Sequence, residues 1–210
     1  MKPRILIGCE TSGTMKHAFA LQGWDAWSCD VLPDDDGDTE FHMQCDVHEA
    51  MRFGHWDMMI LHPPCTALAV SGNGTYAKGK PKYHERLQAM QWTEDLWLTA
   101  KILCDHVCME NPAGVLKHTL CGKASQYVQP YQHGHGETKK TGFWLHNLPV
   151  ITPTDEVEGR DQRVWNMAPS PTRWKERSKT YPGIAKACAE QWTAHMRTLG
   201  FFRNKQENAA

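Results

Sequence analysis

The sequence has no long hydrophobic run and no excess of charge of either sign. Its longest apolar stretches, such as residues 5–7 and 58–61, fall far short of the ~20 residues that a helix needs to cross a bilayer. The beginning of the sequence also lacks the apolar segment and cleavage site of a signal peptide, so we expect a cytoplasmic protein without a membrane partner. Lys and Arg number 23 and Asp and Glu number 24, which excludes a uniformly basic nucleic-acid binder but allows a local basic groove.

No cysteine pattern indicates a disulfide framework or a metal site. In a cytoplasmic protein the eight cysteines are expected to be free thiols. Cys104, His106 and Cys108 alternate along a predicted strand, where a zinc site is conceivable. Their spacing differs from that of a zinc ribbon or finger, which favours buried strand thiols. The acidic run 34–38 lacks the spacing of an EF-hand and is predicted to be a solvated loop. We therefore predict no metal.

Short apolar segments alternate with helical patterns along most of the chain. Strands are predicted over 4–9, 24–31, 43–47, 56–61, 102–109, 125–131 and 142–148. Helices are predicted over 13–21, 85–101 and 181–197, with a short one after residue 47. This alternation predicts an α/β fold, a single Rossmann-like domain with a mostly parallel seven-stranded sheet and helices on both faces. We expect a catalytic and cofactor-binding domain over 1–148, a basic insert over 149–180, and a returning helix with a tail over 181–210.

Distinctive residues follow the first two predicted strands, where ligands bind in such sheets. The turn over residues 8–13 is built of small residues and leads into a helix, so its backbone amides could hold a ligand; an ordinary strand–helix turn is the alternative. Asp30 follows about 20 residues later, a position that suits hydrogen bonds to ribose hydroxyls. No pyrophosphate fingerprint accompanies them, which favours a nucleoside cofactor without a diphosphate.

Two further motifs follow the fourth and fifth predicted strands. Pro63-Pro64-Cys65 combines two prolines that restrict the backbone with a cysteine placed where a nucleophile is expected. Glu110-Asn111-Pro112 places a carboxyl group at a strand end, where we expect a pocket.

These two motifs, in this order and spacing, resemble the catalytic motifs of the DNA cytosine-5-methyltransferases. The whole chain is similar to a small phage and prophage group of methyltransferase-like proteins. The similar stretches are 9–13, 24–33, 62–65, 110–112, 134–138 and 174–192. The resemblance implies S-adenosylmethionine as cofactor and methylation of cytosine carbon 5. It implies a catalytic group of Cys65, attacking carbon 6, and Glu110, at nitrogen 3, with Pro64 and Asn111. It implies a cofactor site of Gly8, Glu10, Ser12, Gly13, Asp30, Asp46 and Pro63.

The resemblance also implies a DNA partner, single-stranded or duplex with a flipped base. The loop 66–84 would close over the target, with Lys78, Lys80 and Lys82 available for phosphates. Lys139 stands in a segment where the family has arginines. The insert adds a basic cluster of Arg173, Trp174, Lys175 and Arg177, which suits a phosphate backbone and a stacked base; a solvated loop is the alternative.

Two other functions remain open at this point. Only ~35 residues separate the last predicted strand from the final helix, too few for an independent recognition domain. The enzyme could therefore modify carbon 5 of free deoxycytidine nucleotides. The turn 9–13 differs from the family's cofactor turn, so a catalytically silent DNA-binding homologue is the other alternative. The sequence does not indicate an oligomeric state.

Overall fold

The computed structural model describes residues 2–168, 170 and 173–202, apart from the side chain of Trp174. The strands are β1 (Arg4–Gly8), β2 (Asp25–Asp30), β3 (His42–Gln44), β4 (Met58–Leu61), β5 (Val107–Pro112), β6 (Gln126–Val128) and β7 (Thr141–His146). The helices are α1 (Thr14–Leu21), α2 (Val47–Arg52), α3 (Asn73–Tyr76), α4 (Tyr83–Leu103), α5 (Arg163–Asn166), α6 (Arg173–Ser178) and α7 (Pro182–Thr198). Short 3₁₀ turns cover Val70–Gly72, Val115–His118 and Pro130–Gln132.

The seven strands form one sheet in the order β3-β2-β1-β4-β5-β7-β6. The pairings among β1 to β5 are parallel, whereas β7 runs antiparallel to both β5 and β6. The predicted α/β class and the mostly parallel seven-stranded sheet are therefore confirmed, with β7 as an antiparallel strand. The chain moves outward from β1 to β3 and then crosses to β4 on the other side of β1. This crossover creates a crevice at the carboxyl ends of β1 and β4, the usual ligand site of open α/β sheets.

Both faces of the sheet are covered by helices. Residues 5 and 7 of β1 pack towards α1 and α7, and residue 6 packs towards α2 and α4. Such two-sided burial explains why the central strands are continuous apolar runs in the sequence. Two tryptophans anchor α7 by hydrogen bonds as well as by packing. The indole nitrogen of Trp24 donates to Thr193 Oγ1 at 2.8 Å, and that of Trp192 donates to the carbonyl of Pro149 at 2.9 Å.

The largest boundary difference lies between α4 and β5. The apolar residues Ile102 and Leu103 were predicted to begin a strand, but they form the last turn of α4, where Ile102 is 83% exposed. Short apolar runs do not distinguish strand from helix. Cys104 consequently ends a helix and does not share β5 with Cys108. No group of three or more His, Cys, Asp or Glu residues in the described part of the chain is arranged to hold a metal ion. No described helix combines the length and apolar character that crossing a bilayer requires.

The acidic run is the predicted solvated loop only in part, because residues 35–37 are exposed whereas Asp34 is buried. Lys16 of α1 is buried, and its Nζ lies 3.0 Å from Asp34 Oδ2 and 2.7 Å from Asp38 Oδ2. Asp34 also accepts hydrogen bonds from the backbone N–H groups of Asp36 and Asp38. The loop after β2 is therefore fixed to α1 by a buried ion network.

Candidate active site

A cavity of about 1020 Å³ opens at the carboxyl ends of β1, β2, β4 and β5. The turn after β1, the end of β2, the segment 62–66 and the end of β5 form its inner wall. Residues of α3, α5 and α6 line its outer part. The cavity thus occupies the crevice that the crossover from β3 to β4 creates.

Cys65 lies in this cavity on a segment that Asn111 holds in place. The Nδ2 of Asn111 donates to the carbonyl of Pro63 at 2.9 Å, and the backbone N–H of His62 donates to the carbonyl of Gly8 at 2.9 Å. Asn111 itself is buried behind the cavity wall. The carbonyl of Cys65 accepts hydrogen bonds from the backbone N–H groups of Leu68 and Ala69, which form a turn directly after the cysteine. The segment therefore presents Cys65 from a fixed backbone.

The Cys65 thiol is protonated in the resting site at neutral pH. Burial and, next, the negative charge of Glu110 raise the pKa of the thiol above its usual value, while Lys139 and Arg177 act in the opposite direction. The charges of these two cations, together with a backbone hydrogen bond at Cys65 itself, therefore favour the thiolate.

Glu110 lies in the same cavity, on the neighbouring strand. Its Oε2 is 3.2 Å from Nδ1 of His62. Burial raises the pKa of the Glu110 carboxyl, but the hydrogen bond to His62 and the charge of Lys139 outweigh that effect, and the net pKa is lowered. Glu110 is therefore ionised at neutral pH, and because a carboxylate only accepts hydrogen bonds, Nδ1 of His62 carries the hydrogen.

The short helix α6 reaches across the outer part of the cavity. Lys175 Nζ lies 2.7 Å from Asp35 Oδ1 in the acidic loop, and Arg177 Nη2 donates to Ser71 Oγ at 3.4 Å. Lys139 Nζ donates to the carbonyl of Lys179 just after α6, at 3.0 Å. The insert is therefore connected to the walls on both sides of the cavity.

Four of the seven residues predicted for the cofactor line the cavity: Glu10, Ser12, Asp30 and Pro63. The carboxylate of Glu10 is already occupied, because it accepts from the backbone N–H groups of Met15 at 2.8 Å and Lys16 at 3.3 Å. Glu10 thus caps the N-terminus of α1. It occupies backbone N–H groups that an anionic ligand would otherwise contact.

The other three predicted cofactor residues lie away from the cavity lining. Gly8 serves packing, because a Cβ there would lie 2.7 Å from side-chain atoms of both Leu61 and Val47. Gly13 has a φ of 63° and precedes α1, a backbone conformation that favours glycine. Asp46 caps α2 by accepting from the backbone N–H of His48 at 2.8 Å. For these three residues the structure gives a local structural reason.

The predicted nucleic-acid residues separate into two groups. Lys139, Arg173, Lys175 and Arg177 line the cavity, whereas Lys78, Lys80 and Lys82 do not. Lys82 instead forms an exposed ion pair with Glu85 at 3.1 Å. The side chain of Trp174 lies outside the described residues. Of the predicted catalytic group, Pro64 lines the cavity beside Cys65 and Glu110, and Asn111 supports it from behind.

The chain is similar to solved methyltransferase structures. A candidate DNA modification methyltransferase encoded within a prophage of E. coli is 12% identical, with 80% of this chain and 56% of that chain covered and a TM-score of 0.45. The Dnmt2 methyltransferase of S. pombe is 12% identical, with coverages of 79% and 54% and a TM-score of 0.44. The methyltransferase EhMeth of Entamoeba histolytica is 9% identical, with coverages of 76% and 58% and a TM-score of 0.48.

This chain spans a little more than half the length of those three proteins. No family model and no curated protein matches the sequence.

Sequence reasoning missed several residues of the cavity. His62 contacts Glu110, and its position directly before the Pro-Pro-Cys motif was the available signal. Val31 and Leu32 form an exposed apolar wall beside Asp30. Cys9 lines the cavity with a φ of 59°, an uncommon conformation for a residue other than glycine.

Proposed function

We propose that this protein is an S-adenosylmethionine-dependent methyltransferase that acts on carbon 5 of cytosine in DNA, with Cys65 as nucleophile. The observation that carries the proposal is the position of Cys65 and Glu110 in one cavity, at the carboxyl ends of adjacent strands. The cysteine and the carboxyl group are the two side chains that this chemistry requires, and both line this cavity.

The chemistry follows from the poor nucleophilicity of cytosine carbon 5. Cys65 loses its proton, and its thiolate bonds to carbon 6, which converts the ring into an enamine whose carbon 5 can attack an electrophile. A base then removes the proton at carbon 5, and the thiolate leaves carbon 6. Glu110, bound to ring nitrogen 3 and the exocyclic amine, makes this addition easier. Lys139 and Arg177 favour the thiolate by their charge. Asn111 holds the backbone segment of Cys65 in place by its hydrogen bond to the carbonyl of Pro63.

The residues near β1 and β2 fit S-adenosylmethionine. Asp30 uses Oδ1 to accept from the backbone N–H of Leu32, and Oδ2 takes part in no hydrogen bond among the described residues. This carboxylate would hold the ribose hydroxyls. Val31 and Leu32, which line the cavity, would pack against the adenine, and Ser12 would lie near the methionine portion. When bound, S-adenosylmethionine supplies an electrophilic methyl group.

The cations at the outer part of the cavity support a phosphate-bearing substrate. Lys139, Arg173 and Arg177 converge there in a chain whose formal net charge is −1. A local group of cations in a nearly neutral protein suits a nucleic-acid backbone. Trp165 also lines this part and is 60% exposed, so a base could stack on it.

A second candidate is carbon-5 modification of free deoxycytidine nucleotides. The observation that favours it is α6, which is joined to both walls of the cavity through Lys175 and Arg177. A helix that spans the cavity in this way could enclose a small substrate as well as a base extruded from DNA.

The experiment is a transfer assay with methyl-labelled S-adenosylmethionine and either single-stranded DNA, duplex DNA or deoxycytidine monophosphate. We expect labelled 5-methyldeoxycytidine in digested DNA, none from Cys65→Ser, and ordinary activity from the control Cys45→Ser, whose thiol lies outside the cavity. Label in the monophosphate alone would favour the second candidate. Transfer that survives in Cys65→Ser, or the absence of any product, contradicts both.

A further inference from the structure

His62 is the residue whose contacts neither the motifs nor the proposed chemistry have used. It follows β4 directly and lines the cavity beside Cys65. Its Nδ1 donates to Glu110 Oε2 at 3.2 Å, and both side chains are largely buried. Its Nε2 is buried without a hydrogen-bond partner among the residues that the structure describes. One nitrogen of this buried imidazole forms a hydrogen bond and the other does not. Such an arrangement calls for an explanation, because buried polar atoms are normally paired.

We propose that His62 is a positioning residue for the reaction: it holds Oε2 of Glu110 through a hydrogen bond that strengthens as the carboxyl group gives its proton to ring nitrogen 3. The inference rests on the proposed function. Glu110 is ionised in the resting site, so its carboxyl group first takes up one proton from solvent in the complex with the substrate, and the Cys65 thiol gives its proton to solvent. As the bond between Cys65 Sγ and carbon 6 then forms, the O–H bond of Glu110 breaks and the bond between nitrogen 3 and hydrogen forms. The electron pair of the broken O–H bond stays on the carboxylate.

A hydrogen bond to a carboxylate is stronger than one to a neutral carboxyl group. The bond from His62 therefore stabilises the charge that develops on Glu110 more than it stabilises the starting acid. Interactions that strengthen in the transition state raise kcat rather than lower KM. Restraint of the carboxyl group by His62 also fixes the direction from which Glu110 meets the base.

The other groups around Glu110 do not replace this contact. Lys139, from the segment before β7, acts on the carboxyl group by its charge. Cys65 after β4, Cys108 on β5 and Cys188 on α7 are the thiols that interact electrostatically with Glu110. Burial raises the pKa of each of these three thiols, so all are neutral at pH 7. The hydrogen bond to Glu110 thus comes from His62.

Two variants of similar size separate the hydrogen bond from packing. His62→Asn keeps an N–H group near the position of Nδ1, whereas His62→Leu has no donor. We expect His62→Leu to lower kcat for methyl transfer to DNA roughly ten- to a hundredfold with little change in KM, and His62→Asn to stay within a few fold of the wild type. The descending, alkaline limb of the kcat profile should move to higher pH in His62→Leu, because burial then dominates and Glu110 keeps its proton longer.

A second readout does not depend on activity. The carboxyl carbon of Glu110 is followed by NMR in protein labelled with ¹³C-glutamate, with Glu110→Gln to assign the signal. We expect titration below the ordinary glutamate range in the wild type and in His62→Asn, and a clear upward shift in His62→Leu.

An unmoved titration in His62→Leu, or equal losses of kcat in both variants with unchanged pH profiles, overturns the role of His62. The absence of methyl transfer by the wild type overturns the proposed function instead, and the carboxyl titration still decides whether His62 controls Glu110.

Discussion

Replacement of Lys16 by methionine should destabilise the protein strongly, although the residue lies outside the cavity lining. Lys16 is 2% exposed and pairs with Asp34 at 3.0 Å and Asp38 at 2.7 Å. Lys16→Met leaves the equally buried carboxylate of Asp34 without its cation. Removal of one partner from a buried ion pair typically costs about 3–5 kcal/mol. We therefore expect the free energy of unfolding at pH 7 to fall by about that amount.

The pH dependence tests the same network. The hydrogen bond from Lys16 is the largest of the influences that lower the pKa of Asp38 to about 2. A depressed carboxyl pKa stabilises the fold above the unfolded value near 3.8, and this stabilisation is lost as the pH falls through about 2. The shift corresponds to about 2 kcal/mol. The difference between wild type and Lys16→Met should therefore shrink between pH 5 and pH 2.5.

Urea unfolding followed by circular dichroism measures both effects. Lys186→Met is the matched control, because Lys186 is an exposed lysine of α7 that lies 3.9 Å from Glu190; it should change stability by less than about 0.5 kcal/mol. Addition of Asp34→Asn to Lys16→Met should restore part of the loss. If Lys16→Met does not fold, Asp38→Asn should cost about 2 kcal/mol at pH 7. A loss below about 1 kcal/mol in Lys16→Met, or a loss that is the same at both pH values, contradicts the reasoning.

Three further predictions concern the walls of the cavity. Asn111→Leu removes the hydrogen bond to Pro63 and should cost about 1–3 kcal/mol in urea unfolding, with slower methyl transfer; an unchanged rate would contradict the support role. Lys175→Glu places like charges together at Asp35 and should speed proteolytic cleavage near α6, and adding Asp35→Lys should reverse the effect. If cleavage is unchanged, the contact does not hold the helix. Gly8→Ala inserts a methyl group 2.7 Å from two side chains and should cost about 1–3 kcal/mol, so a neutral result by thermal unfolding would argue against tight packing there.

The sheet could largely be predicted from the sequence, because a strand buried on both faces is a continuous apolar run. This holds for β1 and β4, whose predicted ranges overlap the observed ones closely. The reversal of β7 could not be predicted, since the direction of a strand depends on pairing between distant segments. The boundary between α4 and β5 was wrong for a similar reason: Ile102 and Leu103 are apolar but exposed, and sequence alone does not tell exposure.

The candidate site shows the same division between local and distant information. Cys65 and Glu110 could be placed together because carboxyl ends of neighbouring parallel strands share one edge of the sheet. Lys16 could not be connected with Asp34, which is 18 residues away in the chain, because the ion pair depends on the path of the loop. Asp46 follows a strand, which is where a ligand-binding residue is expected, but it also directly precedes α2. In the structure Asp46 caps α2.

The most direct test of the central claim is the covalent trapping of Cys65 on DNA that contains 5-fluorocytosine, in the presence of S-adenosylmethionine. Fluorine replaces the hydrogen at carbon 5 and cannot leave as a proton would, so the elimination is blocked and the bond between sulfur and carbon 6 should persist. Tryptic digestion and mass spectrometry then locate the adduct, since the fragment over residues 53–78 has Cys65 as its single cysteine. We predict the nucleotide mass on Cys65. An adduct on another cysteine, or a full yield of adduct in Cys65→Ala, would contradict it.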